Sequence, residues 1–344
     1  MRPVLRALAA QQGGVVSRRQ CLAAGCTEVE LRGLTAVHGP WVTVRRGVYA
    51  ERELWEAATG YDDRARLHDR AVHLMTQTEH VMSHDSAARA LRLPLLQPLH
   101  DLSHLTRPGV GGSRTERGVK HHLTRLPLGD TVVVDDVEVT GPARTGVDLA
   151  REHGLAAGVV ALDAVLAGGV PRRALELETT VMWCWPGVRT AREAVALADG
   201  GAESPGESLT RLLLVELGLG PVDTQFPVSV GGRVYWADLR VGCHLVEFDG
   251  RVKVRSVGDG GVASRPAEDV LWGERRRQTA ICGEGLGMSR VEWADLFGSR
   301  RKATGRRILA EHAVTRERFG DRLPEHLAER AALVRRTTPR RRSA

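Results

Sequence analysis

Apolar positions in the first fifty residues recur first with helical and then with strand spacing. Val4, Leu5, Leu8 and Ala9 fall three or four apart, which predicts a helix closed by Gly13-Gly14, with Val15-Val16 as a short extended link. Ser17 is placed to cap a second helix over 18–24, stopped by Gly25. Thr27 is placed to cap a third over 28–37, with Val29, Leu31 and Leu34 toward its inner face, and Gly39-Pro40 ends it. Segments 41–44 and 47–50 read as a strand pair around Arg45-Arg46-Gly47. Three short helices and a hairpin predict a winged helix-turn-helix.

Further along, 65–75 and 83–91 read as amphipathic helices, and 102–106, 119–123, 131–134 and 137–140 as strands. Segment 107–117 reads as a glycine-bearing loop without nucleotide-binding spacing. Helices follow at 144–153, 157–167, 172–182 and 188–198. The small residues of 200–206 mark the clearest boundary. Beyond it the order is a helix (209–217), strands at 226–230, 234–239 and 244–248, a helix (268–281) and a strand (288–293). Two more helices, 301–318 and 324–335, precede a basic end. The expected class is α/β, α+β overall. The expected division is 1–50 winged helix-turn-helix, 51–200 mixed α/β middle region, 203–300 α-β-β-β-α-β core and 301–344 basic helical tail.

Composition narrows this. A chain of 344 residues, 42% hydrophobic and 26% charged, has the make-up of a globular protein. No apolar run reaches the roughly 18 to 20 residues of a membrane span, and the N-terminus lacks a signal-peptide core, so no membrane association and a cytoplasmic location are expected. The five cysteines form no CxxC pair and no zinc spacing, and read as reduced core residues. His84, His100, His104 and His121-His122 show no metal-ligand rhythm and read as structural or surface histidines.

Charge is unevenly spread. The net charge is +7, yet residues 1–50 carry +5 and 301–344 carry +8, leaving −6 between them. Basic ends around an acidic middle suit a polyanion such as double-stranded DNA. Arg18, Arg19, Arg32, Arg45 and Arg46 are the candidate phosphate contacts of the winged helix. The third helix is poor in Asn, Gln and Arg, so no base contact is named.

The candidate chemistry lies in 233–253. With a two-residue turn at Val241-Gly242, Asp238 falls opposite Leu245, with Glu247 one diagonal step away and Asp249 on the same face. Three carboxylates that close repel, and a divalent cation relieves the conflict; magnesium takes one or two carboxylates plus phosphate oxygens and water. Lys253 follows, one of only three lysines in the chain. It suits phosphate neutralisation or water activation. Glu207 has two readings of equal weight, as N3 of a capping box begun by Ser204 or as support for the metal. Among Arg275–Arg277, Arg276 is taken as a DNA contact, with pairing to Glu268 and Glu274 as the alternative. Arg144 contacts phosphate or, more commonly, pairs with an acid. Trp293 reads as core.

Two resemblances follow from these residues. Gly13–Gln20, Val44–Tyr49 and Thr140–Thr145 resemble the N-terminal region of AbiEi-type antitoxins, which implies a DNA-binding module used for transcriptional autoregulation but does not by itself supply a toxin partner. Glu207, Asp238, Glu247-Phe248-Asp249-Gly250, Lys253 and Arg290–Trp293 resemble the restriction-endonuclease-like PD-(D/E)XK superfamily, in the branch related to very-short-patch-repair endonucleases. That resemblance implies Asp238, Glu247 and Asp249 as ligands of Mg2+, with Mn2+ as a substitute, in phosphodiester cleavage. Asp249 stands where the superfamily usually has lysine. The expected function is a DNA-binding protein with a magnesium-dependent endonuclease domain. The alternative is an antitoxin-like repressor that keeps the nuclease fold without catalysis.

Overall fold

Helix α1 (Pro3–Gln11), strand β1 (Val15–Ser17), helices α2 (Arg18–Ala23) and α3 (Glu28–Leu34), and strands β2 (Trp41–Arg45) and β3 (Val48–Glu51) open the chain in a computed structural model. It describes residues 1–96, 102–108, 112–124, 126, 129–250 and 277–338. The local signals act as expected: Ser17 and Thr27 each form a capping box, with Gln20 and Glu30 as their N3 partners. Two readings are corrected. Val15–Ser17 is a strand rather than a link, pairing antiparallel with β3 in a sheet ordered β1-β3-β2. Val29 is 69% exposed while Leu31 is buried, because two helical steps separate them by about 200°. Leu5, Val16, Cys21, Leu31 and Trp41 form the core beneath the three helices.

The described residues divide into two compact units, Met1–Val165 with Val170–Ala196, and Leu166–Gly169 with Leu197–Ala344. In the first unit, α4 (Arg52–Ala57) and α5 (Tyr61–Met75) lead to a six-stranded mixed sheet. Its strands are β4 (Val81–Met82), β5 (Ser103–Thr106), β6 (Arg114–Glu116), β7 (Val119–His122), β8 (Thr131–Val134) and β9 (Val137–Thr140), in the order β6-β7-β5-β4-β9-β8. Strand β6 occupies part of the expected loop 107–117; all three of its residues are exposed, so it carries no burial pattern to read. Helices α6 (His84–Ala90) and α7 (Pro142–His153) pack together, and α8 (Leu155–Ala167), α9 (Arg172–Val181) and α10 (Val188–Leu197) follow. Arg144 is buried and pairs with Asp148, so the acid-paired reading describes it.

The second unit holds α11 (Pro205–Glu216), β10 (Asp223–Val230), β11 (Arg233–Val241), β12 (His244–Asp249), a helical stretch α12 (277–283), β13 (Gly287–Glu292), a 3-10 turn (Trp293–Leu296), α13 (Gly298–Phe319) and α14 (Glu325–Thr337). Its sheet runs β10-β11-β12-β13, antiparallel until β13 joins β12 in parallel. Gly231-Gly232 turns β10 into β11 with both φ angles positive, as a tight hairpin requires. Phe226, Val228, Leu245, Ile281, Leu327 and Ala331 share one core, so the last helix contributes to this sheet's packing. The fold is α+β. Among the described residues, no helix is long and apolar enough to cross a membrane.

Candidate functional site

The carboxylates meet where β11 and β12 part. The turn between them is Gly242-Cys243, because Val241 pairs with His244, Arg240 with Leu245 and Leu239 with Val246. This shifts the expected register by two residues: Arg240, not Asp238, lies opposite Leu245. Hairpin register is set by the turn, and the sequence offers two adjacent turn positions around Gly242. Beyond the Leu239–Val246 pair, Asp238 Oδ2 accepts the N–H of Phe248 at 2.9 Å. The Asp238 carboxylate thus sits against the backbone link between Glu247 and Asp249.

Glu207 reaches this region from the first turn of α11. Ser204 caps the helix by accepting the Glu207 N–H at 3.2 Å. The Glu207 carboxylate accepts from Ser204 Oγ at 2.9 Å, from Glu203 N at 2.9 Å and from Gln225 Nε2 at 2.9 Å. Burial raises its proton affinity above the usual carboxylate value, and the charge of Asp238 raises it further. Ser204 caps α11, but among the described residues the Glu207 carboxylate takes the N–H of Glu203 rather than that of Ser204, so the reciprocal half of the expected capping box is not formed; the carboxylate also stands within the field of Asp238. Gln225 holds φ at +53°, a conformation rarely taken by a residue with a side chain. Such strain is kept where packing over-determines it. Gly206 permits the approach of α11, since a Cβ there lands on the ring of Phe248.

Glu247 is buried and ion-paired with Arg277 of α12. The parallel register sets Arg290 beside Glu247 and Glu292 beside Asp249. The sequence reading did not include Arg277, Gln225 or Glu292 among the site residues. Glu292 lay within the Arg290–Trp293 stretch of the resemblance, but no role was given to it. Trp293 is 47% exposed and forms an edge contact with Phe248, with Phe297 also exposed beside it, which corrects its assignment to the core. Lys253 and Arg276 lie outside the described residues.

Asp238, Glu247 and Asp249 do not form a trio with ligand atoms within 4.8 Å of one another among the described residues. The region offers oxygen donors from carboxylates on two adjacent strands and a helix, the kind hard cations take, and burial followed by the charge of Asp238 raises the proton affinity of Glu207.

In the winged helix, Arg19 and Arg46 are exposed, with Arg46 in the turn of the β2–β3 wing. Arg45 is half-buried on β2. Arg18 is exposed but ion-paired with Glu28, and Arg32 Nε donates to the Glu28 carbonyl at 3.4 Å. Glu28 and Glu30 give the first turn of α3 negative charge.

The trio that does converge lies in the first unit. His84, His104 and His122 each offer a nitrogen within 4.8 Å of the others. They come from one helix and two strands, so no sequence spacing signals the cluster, and the burial of His84 and His104 agrees with their reading as structural histidines.

No family model matches the chain. Two curated proteins of Mycobacterium tuberculosis are similar to part of it: the uncharacterized proteins MT2308 (strain CDC 1551 / Oshkosh) and Rv2248 (strain ATCC 25618 / H37Rv). Each is 33% identical over 109 residues, covering 30% of this chain and 40% of the relative. The chain therefore spans about two fifths of the length of the curated relatives it matches.

Proposed function

We propose that this chain is a DNA-binding protein whose second unit is a magnesium-dependent DNA endonuclease of the PD-(D/E)XK kind. One observation carries the reading. A four-stranded sheet and its leading helix bring Glu207 within the field of Asp238, with Glu247 and Asp249 on either side of the Phe248 N–H that Asp238 accepts. Asp238, Glu247 and Asp249 would hold the cation, Mg2+ or Mn2+, and Glu207 would support Asp238. The cation supplies water activation and charge neutralisation at the phosphate. The protein's own part is to fix the acids: the Phe248 N–H orients Asp238, and Gln225 and Ser204 orient Glu207. Arg19 and Arg46 on the winged helix would offer exposed positive charge to a duplex backbone.

The second reading is an AbiEi-like repressor or antitoxin that uses the nuclease fold for binding alone. The ion pair between Arg277 and Glu247 favours it, because a guanidinium on that carboxylate competes with a cation. Plasmid cleavage separates the two. Nicking in Mg2+ or Mn2+ that is abolished by chelator and by the Asp238→Ala/Glu247→Ala double variant supports the endonuclease. Intact plasmid, with both proteins still retarding DNA on a gel, favours the repressor.

A further inference from the structure

His84, His104 and His122 come from three elements that the sheet brings together. His104 lies on β5 and His122 ends β7; these strands are parallel, with His104 beside Lys120 and Thr106 beside His122. The two histidines are thus one strand repeat apart on the same face of the sheet. His84 enters from the first position of α6 with φ at +49°. A residue with a side chain seldom holds that angle, and such strain is retained where the surroundings fix a side chain in place.

The three rings are close. His104 Nδ1 and His122 Nε2 are 3.0 Å apart, and the rings of His84 and His122 stack with centroids 3.8 Å apart. His84 and His104 are 4% and 2% exposed, so these polar rings sit in the interior. His104 Nδ1 and His122 Nε2 are at hydrogen-bond distance, so one of the two carries a proton that a bound cation would displace, and His84 Nδ1 pairs with Ser83 Oγ at 3.0 Å. Behind them stands Asp85, fully buried. Its Oδ1 contacts His153 Nε2 at 2.6 Å, while its Oδ2 has no hydrogen-bond partner and lies 3.8 Å from His104 Nε2. A small rotation of His104 closes that gap and makes the carboxylate–imidazole pair that orients metal-binding histidines.

The neighbouring cations are already paired: Arg144 and Arg151 with Asp148, and Lys120 with Glu152. These pairings offset part of their charge, although Arg144, Arg151 and Lys120 still act on His84. A cavity of about 310 Å³, lined by His84, His122, Arg144, Arg151 and Trp185, gives access from solvent. Packing alone accounts poorly for this arrangement, since it leaves a carboxylate oxygen unsatisfied in the interior beside three polar rings.

We propose that His84, His104 and His122 form a mononuclear site for a borderline transition-metal dication of the Zn2+ class, with Asp85 as a positioning residue behind His104. An all-imidazole donor set selects such ions over Mg2+, and three protein ligands leave a coordination position for water. Coordination requires the stacked His84 and His122 rings to tilt, because parallel rings present parallel lone pairs. The site is independent of the carboxylate region and stands whether or not that region cleaves DNA.

The test uses the full chain, stripped with chelator and titrated with Co2+. One equivalent with the strong visible d–d absorption of tetrahedral cobalt is expected, apart from any weakly absorbing six-coordinate cobalt held by the carboxylates. Binding should be lost in His104→Ala and in His122→Ala, and be about 10- to 100-fold weaker in Asp85→Asn. It should persist in Asp238→Ala/Glu247→Ala and in His73→Ala/His80→Ala, the latter removing a second histidine pair 3.0 Å apart. Circular dichroism checks folding. Should the alanine variants not fold, His104→Cys decides: retained binding with a new sulfur-to-cobalt charge-transfer band supports the site, and a folded variant with an unchanged cobalt spectrum overturns it. Absence of Co2+ binding by the wild type, or its loss only in the His73/His80 or Asp238/Glu247 variants, also overturns the proposal.

Discussion

Gly206→Ala sets two physical effects against each other at the carboxylate region. Gly206 is the second residue of α11, after Pro205. Helix propensity alone says that alanine stabilises this position, by up to about 1 kcal/mol. The structure says the opposite. A Cβ on Gly206 falls far inside contact distance of Cζ, Cε1 and Cε2 of the Phe248 ring, and Phe248 is tied through its N–H to Asp238. Moving the ring or the helix is overpacking, which costs about 1–3 kcal/mol. For a unit of this size each kcal/mol corresponds to about 2–4 °C, so the clash predicts a melting temperature lower by roughly 2–12 °C. Differential scanning calorimetry measures it, with two companions. Gly283→Ala, which meets no described atom within 4 Å, should be neutral or slightly stabilising. Phe248→Leu shortens the obstacle, so adding it to Gly206→Ala should cost less than the sum of the single changes, with a coupling of about 0.5–3 kcal/mol. A Gly206→Ala protein that melts at or above the wild-type temperature would refute the account of how α11 is held over β12.

Three further outcomes are expected. Asp238→Asn removes a like charge near Glu207 and should lower the Glu207 pKa, read from carboxyl NMR titration; an unchanged or raised value contradicts the proximity. Acid should destabilise the second unit through His244, which burial holds at about 4 against an ordinary 6.5 and which contacts Thr315 and Ser289. The unfolded chain binds the proton more readily, so stability is full above pH 6.5 and falls by about 3 kcal/mol as pH drops toward 4. Urea midpoints across that window should decline more steeply for wild type than for His244→Gln. Asp69→Ala removes the carboxylate that pairs with the buried Arg89 at 2.7 Å and should cost about 3–5 kcal/mol in urea denaturation, more than an exposed pair such as Arg2–Glu30.

The sequence by itself determined whatever rests on local chemistry. Ser17 and Thr27 begin helices because a hydroxyl and an N3 partner satisfy first-turn N–H groups, and Gly231-Gly232 turns a hairpin because both positions take positive φ. The order of the described elements in the second unit was legible for the same reason. Tertiary structure alone decided the rest. The β11–β12 register depended on which of two adjacent pairs made the turn, and the choice of Gly242-Cys243 placed Asp238 at the Phe248 N–H. Arg277 reached Glu247 only once α12 lay over the sheet. His84, His104 and His122 gave no sequence signal, because their meeting depends on β5 and β7 lying parallel and α6 covering them. Spacing along a chain encodes neighbours within one helix or hairpin; parallel strands and the helices that cover them join residues through long connections whose lengths carry no such code.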